Sequence, residues 1–163
     1  MELWDILDHN KNKTGKQIER GHPMQSGEYH LVVFAFIMNV KGEVLISKRT
    51  PNKTFPNKWE IPGGSAILGD DSLSAIRREV LEEVGLDLSE TNGRIIKSIR
   101  CETGLSYFAD VWLFKYEVDI TSIKCQPEEV SEVKLATKEE VLQLMQNNAF
   151  IKSDLIMNCL EIV

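Results

Sequence analysis

The chain has 163 residues, and its 19 Lys and Arg against 25 Asp and Glu give a formal charge of −6. That length suits one domain, residues 1–163, of ordinary globular composition, large enough to fold on an apolar core without a metal or a disulfide. The acidic balance argues against a protein that wraps nucleic acid, and the longest strongly apolar run, residues 31–38, is far short of the roughly 20 residues that span a bilayer.

Met1-Glu2-Leu3-Trp4-Asp5 is acidic where a secretory leader is basic, so a cytoplasmic location is expected, with neither nucleic acid nor membrane as partner. Cys101, Cys125 and Cys159 are widely spaced without a CxxC pair and read as ordinary reduced thiols. Residues 1–28 form an N-terminal hairpin or extension: Leu3–Leu7 as a strand, a polar turn at 9–13, a return strand over 15–18 and a loop over 20–28. Residues 29–40, rich in β-branched and aromatic side chains, predict a buried strand, and 43–48 its partner across the Lys41-Gly42 turn. Residues 49–58, with two prolines and several bases, predict a loop; 59–61 predict a brief strand running into Pro62-Gly63-Gly64.

The apolar period then changes. Leu73, Ile76, Val80 and Val84 recur at steps of three and four, which predicts a helix over 72–84, capped by Asp71 or Ser72 and closed by Gly85. Strands are expected over 94–102, 107–118 and 130–135, and helices over 138–147 and 153–160. Several strands with two or three helices imply an α/β fold, a mixed β-sheet between helices on both faces.

The helix over 72–84 carries Glu79, Glu82 and Glu83. At 100° per residue they span an arc of about 100°, with Glu79 and Glu83 both flanking the Val80 stripe on the same side. Any one of them alone reads as a solvated helix face. Together they repel, since like charges at i,i+4 destabilise a helix by a few tenths of a kcal/mol, and a cation among them relieves that repulsion. Oxygen ligands with no His or Cys nearby favour Mg²⁺ or Mn²⁺.

The joint spacing over 63–86 resembles the signature of the Nudix hydrolase superfamily, G-x5-E-x7-R-E-U-x-E-E-x-G-U with U a bulky aliphatic residue. Gly64 opens it, Arg78-Glu79-Val80 supplies R-E-U, Glu82-Glu83 the paired acids and Gly85-Leu86 the close. The chain departs from the pattern at Asp70, where the family has Glu, and at Ile67, where an acid is frequent. Trp4-Asp5, His30, Lys48-Arg49-Thr50-Pro51 and Phe55-Pro56-Asn57-Lys58-Trp59 further resemble the branch of isopentenyl-diphosphate isomerase. The catalytic Cys of that isomerase follows the segment matching Lys58-Trp59; this chain reads Glu60-Ile61-Pro62-Gly63-Gly64-Ser65 there.

The resemblance implies a Nudix α/β/α sandwich and metal-dependent hydrolysis of a nucleoside diphosphate linked to another group, a small-molecule substrate. A homodimer is compatible with it. Catalytic weakness, with the chain serving as a nucleotide-binding module, and the isomerase remain as alternatives. Glu79, Glu82 and Glu83 are the expected ligands of Mg²⁺ or Mn²⁺, completed by the backbone carbonyl of Gly63 or Gly64. Arg78 is expected to orient Asp70 or one of the helix acids. A later acid is also implied, for which Glu129 is the choice, with Glu128 and Glu132 as neighbours; it or one of the helix glutamates is the general base. Arg49, Lys53 and Lys58 are candidate phosphate contacts, and Phe55 and Trp59 candidate stacking partners for a base.

Overall fold

The computed structural model describes residues 1–102 and 104–163. β1 (Leu3–Leu7) and β2 (Lys13–Glu19) pair antiparallel as a separate hairpin, Leu3 opposite Glu19 and Leu7 opposite Lys13. The return strand begins at Lys13 rather than at Gly15 because Asp8 Oδ1 accepts from the Asn10 and Asn12 amides, at 2.8 and 2.9 Å, and closes the turn early.

The main sheet is mixed. Its frame is β3 (His30–Met38), which pairs in parallel with β8 (Tyr107–Lys115) from His30↔Tyr107 to Met38↔Lys115. β7 (Gly93–Cys101) lies antiparallel outside β8. On the other edge β3 changes partner along its length. It meets β4 (Val44–Arg49) at Met38↔Val44, and farther back it pairs with β6 (Gly63–Ser65) at Val32↔Ser65 through Phe34↔Gly63. β4 continues against β5 (Trp59–Glu60) and β9 (Val130–Ala136). The sheet therefore splits on this edge, and the split opens where β6 leads towards a helix.

Period-two alternation along β3 sorts its side chains into two cores. Leu31, Val33, Ala35 and Ile37 pack with Ala75, Ile76, Val80 and Val84 of α1 (Ser72–Val84). Phe36 and Met38 pack with Val141, Met145, Ile156 and Leu160 of α2 (Lys138–Gln146) and α3 (Asp154–Leu160). Helices thus cover both faces of the sheet, the expected α/β/α arrangement.

Gly63 and Gly64, which follow the brief strand expected at 59–61, are themselves paired strand residues. A Cβ on Gly63 would stand 2.1 Å from the Val33 carbonyl oxygen, so only glycine lets β6 lie this close to β3. β3 stops at Met38, two residues before the expected end, because Asn39 Oδ1 accepts from the Lys41 and Glu43 amides and turns the chain, leaving Val40 87 % exposed. β8 likewise ends at Lys115, before a single 3-10 turn at Ile120–Ser122. Among the described residues no helix is long and apolar enough to cross a membrane.

Candidate active site

α1 starts at the N-cap Asp71, whose Oδ1 accepts from the Ser74 amide at 2.7 Å while Ser74 Oγ accepts from the Asp71 amide at 2.8 Å. It ends at Gly85, whose φ of 69° is the left-handed closure that glycine favours. Ala75, Ile76, Val80 and Val84 are wholly buried, so the rotation of the helix is fixed and the three glutamates fall at graded depth. Glu83 is 4 % exposed, the Glu79 side chain 15 %, and the Glu82 side chain 53 %.

The Glu83 carboxyl receives a weak hydrogen bond from the Gly63 amide at 3.4 Å. Burial, followed by the negative charges of Glu60, Glu79 and Glu129 and offset in part by Lys53, pushes its pKa up to about 8. Burial also raises the Glu79 carboxyl above its ordinary range, against the pull of Arg78. The Glu79 carboxylate rests on Gly64, where an added Cβ would meet it at 2.4 Å.

Arg78 ties this group together. Its Nε and Nη2 donate to Asp70 Oδ2 at 3.1 and 2.9 Å, Nη2 also to the Ser65 carbonyl at 3.0 Å, and Nη1 to Glu79 at 2.9 Å and Glu82 at 3.2 Å. The guanidinium expected on Asp70 or on a helix acid touches both. Asp70 Oδ2 additionally accepts the Ile67 amide at 3.1 Å, which folds the loop in front of the helix.

Arg78, Glu79, Glu82 and Glu83 line a polar cleft of about 410 Å³ with Gly63, Gly64, Arg49, Lys53, Gln126 and Glu129. Lys53 donates to Glu129, and Arg49 Nη1 lies 3.0 Å from each Glu60 oxygen. Of the three neighbouring acids, Glu129 faces the cleft; Glu132 is bonded to Lys48 at 2.7 Å, and Glu128 is exposed. Lys58 does not line the cleft. It follows the turn into β5, and its Nζ donates to Asn148 at 2.8 Å. Trp59 is 8 % exposed, with Lys48 and Lys134 5.6 and 5.0 Å from its ring centroid, so it is a core residue rather than a stacking surface. Phe55 is 61 % exposed and lines a second, largely apolar cavity of about 430 Å³ with Phe34, Tyr107, Phe150 and Glu60.

Sequence reasoning missed Glu60, Gln126, Glu2 and Arg20, all of which stand in or against this cleft. Only Glu60 left a signal: Trp59 and Ile61 are both apolar, so alternation along the strand turns Glu60 to the other face.

The family model described as NUDIX domain matches residues 28–158. The chain belongs to the Nudix family. Nudix relatives extend over nearly its whole length. A protein of Listeria innocua named as an uncharacterized Nudix hydrolase is 39 % identical over 153 residues, covering 93 % of this chain and 89 % of its own. A Nudix hydrolase of Deinococcus radiodurans is 31 % identical, covering 94 % of this chain and 90 % of its own. The crystal structure of DR0079 from Deinococcus radiodurans superposes with a TM-score of 0.77 at 26 % identity, over 98 % of both chains. The dihydroneopterin triphosphate pyrophosphohydrolase of E. coli shares the Nudix fold at a TM-score of 0.62 and 17 % identity, over 82 % of this chain and 94 % of its own.

Among the described residues, no three His, Cys, Asp or Glu side chains already converge as a metal cage; Arg78 and Lys53 engage the carboxylates instead. The donor set still fits a hard divalent cation. The acidic groups offer oxygen only, no His or Cys among the described residues lines the cleft, and the buried Glu83 carboxyl meets mutual repulsion that a cation would relieve.

Proposed function

We propose that this Nudix hydrolase cleaves the diphosphate linkage of a nucleoside diphosphate joined to another group, with Mg²⁺ or Mn²⁺ as cofactor. The observation that carries this reading is the Glu83 carboxyl, buried beside Glu79 in a cleft that otherwise mixes acids with Arg and Lys. Glu79, Glu82 and Glu83 are the residues to hold the metal, with the carbonyl of Gly63 or Gly64. A bound divalent ion would offset the charge of the diphosphate and lower the pKa of an attacking water.

The remaining work belongs to the chain's own groups. Arg78, fixed by Asp70 and the Ser65 carbonyl, holds Glu79 and Glu82 in place on the helix. Arg49 and Lys53 face the cleft as cations for the phosphate oxygens. Glu129, in the loop before β9, is the acid outside the helix that can take the proton of the attacking water at its carboxylate.

Two observations support hydrolysis over the alternatives. Asp70, shorter than the family's Glu, still accepts three hydrogen bonds, which favours an intact catalytic loop over a pure binding module. Isomerisation would need a thiol beside the segment at Lys58-Trp59, and no Cys lines the cleft among the described residues. The test is release of phosphate or nucleoside monophosphate from a panel of nucleoside diphosphate derivatives, with and without Mg²⁺. Mg²⁺-dependent release from at least one member is expected; no release from any would overturn the proposal.

A further inference from the structure

The hairpin of β1 and β2 lies wholly before the segment matched by the NUDIX domain, which begins at residue 28. It is nonetheless built into the molecule. Trp4, Ile6 and Leu7 are 4 %, 2 % and 5 % exposed. The Trp4 indole stacks on the buried His30 ring at 4.3 Å and 8°. The Leu68 amide donates to the Leu3 carbonyl at 2.7 Å, and the Gly69 amide to Asp5 Oδ2 at 2.9 Å, so the hairpin also grips the loop in front of α1.

At its tip, Lys11 holds a φ of 69°, a left-handed conformation uncommon for a residue other than glycine. This aims its ammonium at Asp110, which is fully buried, at 2.6 Å from Oδ2. Ser98 Oγ and Ser72 Oγ also donate to Asp110, both at 2.6 Å. Ser72 is the first residue of α1, so one buried carboxylate joins the hairpin tip to the start of the glutamate helix.

The hairpin's open end stands at the cleft, whose lining includes Glu2 and Arg20. The Arg20 amide donates to the Glu2 carbonyl at 2.9 Å, and its Nη1 to Glu2 Oε2 at 3.1 Å. The four cations of the cleft differ in availability. The side chains of Arg49, Lys53 and Arg78 are 13 %, 23 % and 22 % exposed, and each is paired with an acid at the cleft or on its wall. The Arg20 side chain is 63 % exposed, and its bond to Glu2 uses one of five N–H donors.

We propose that the N-terminal hairpin is a wall of the active-site cleft and that its Arg20 binds a phosphate oxygen of the ligand's diphosphate, with Lys11 on Asp110 holding the hairpin in position. This rests on the reading of the cleft as a diphosphate site. Arg20 exchanges an exposed contact with Glu2 for a charge-assisted one with phosphate, and its planar fork suits that partner better than a lysine would.

Calorimetric titration of the full chain with methylenediphosphonate and with α,β-methylene-ADP, at saturating Mg²⁺, tests the proposal independently of turnover. Arg20→Ala, a surface change that leaves the fold intact, is expected to weaken both probes about tenfold or more. On any substrate the parent hydrolyses, KM should rise by more than kcat falls. Lys11→Met is expected to weaken both probes by a smaller factor and to speed hydrogen exchange in β1 and β2, with Lys11→Arg restoring both. The double variant Lys11→Met with Asp110→Asn removes the unpaired buried charge and should keep the fast hairpin exchange in a chain that still folds.

Equal affinity of parent and Arg20→Ala for both probes overturns the Arg20 assignment alone. Unchanged hairpin exchange and affinity in the folded double variant overturn the role of Lys11. A parent that binds the probes yet hydrolyses nothing overturns the hydrolase reading, while the affinities still decide Arg20. A parent that binds neither probe overturns both.

Discussion

Glu83 is held in the folded chain with its pKa near 8, whereas an exposed glutamate ionises near 4.5. Between those values the unfolded chain releases a proton that the folded chain keeps. The stability contributed by this group is complete below about pH 4.5 and is lost as pH rises to about 8. In metal-free protein the melting temperature should therefore fall over that range, and Glu83→Gln should make the fall shallower. An equally steep fall in the variant would show that Glu83 is ionised with ordinary ease. The same substitution should lower turnover by about 100-fold or more, as loss of a group that stabilises developing charge does. Wild-type rates in Glu83→Gln, on a substrate the parent cleaves, would remove Glu83 from the site.

The element that decides the site is the short β6 and the loop joining it to α1. Its two glycines have different neighbours, which separates their expected effects. A methyl at Gly63 would collide with the Val33 carbonyl at 2.1 Å and with the Phe34 α-carbon at 2.9 Å, so Gly63→Ala should destabilise the fold by about 1–3 kcal/mol. A methyl at Gly64 meets only the end of the Glu79 side chain among its nearest atoms, at 2.4 Å. Gly64→Ala should therefore cost little stability but displace Glu79 and reduce turnover. Denaturant unfolding with steady-state rates on both variants checks the contrast; equal stability losses would refute it. In the loop, Asp70→Ala removes the partner of Arg78 and of the Ile67 amide, and an activity loss of about 10–100-fold is expected. Parent-level activity in that variant would reduce Asp70 to a loop acid without consequence for the helix.

Across the whole molecule, the sheet puts the α1 glutamates and Cys159 on opposite faces, each over its own apolar core. The glutamates border the α1 face, while Cys159 is wholly buried among the residues that hold α2 and α3 to the opposite face. Cys159→Ala should cost about 1 kcal/mol of stability and leave turnover within a factor of two or three. Inactivation of a folded Cys159→Ala protein would bring thiol chemistry back into consideration.

Short-range spacing along the chain encodes the helix and its glutamate face. Leu73, Ile76, Val80 and Val84 defined a helix, its rotation, and hence the side on which Glu79 and Glu83 lie; Gly85 defined its C-terminal end, while the structure chose Asp71 over Ser72 as the N-cap. Those terms depend on residues within a turn or two of one another. Boundaries shifted where a side chain closed a turn early, as Asp8 and Asn39 do, because such hydrogen bonds leave no periodic trace. Which distant groups face the helix depends on long-range strand pairing. Glu129, Arg49 and Lys53 reach the cleft and Lys58 does not, because β4 turns from β3 to pair with β5 and β9. Arg20 and Glu2 reach it because the hairpin packs on the body of the fold, where Lys11 meets Asp110, 99 residues farther along the chain. Long-range pairing is set by the sum of many burial and hydrogen-bond terms across the sheet, and no local pattern in the chain carries that sum.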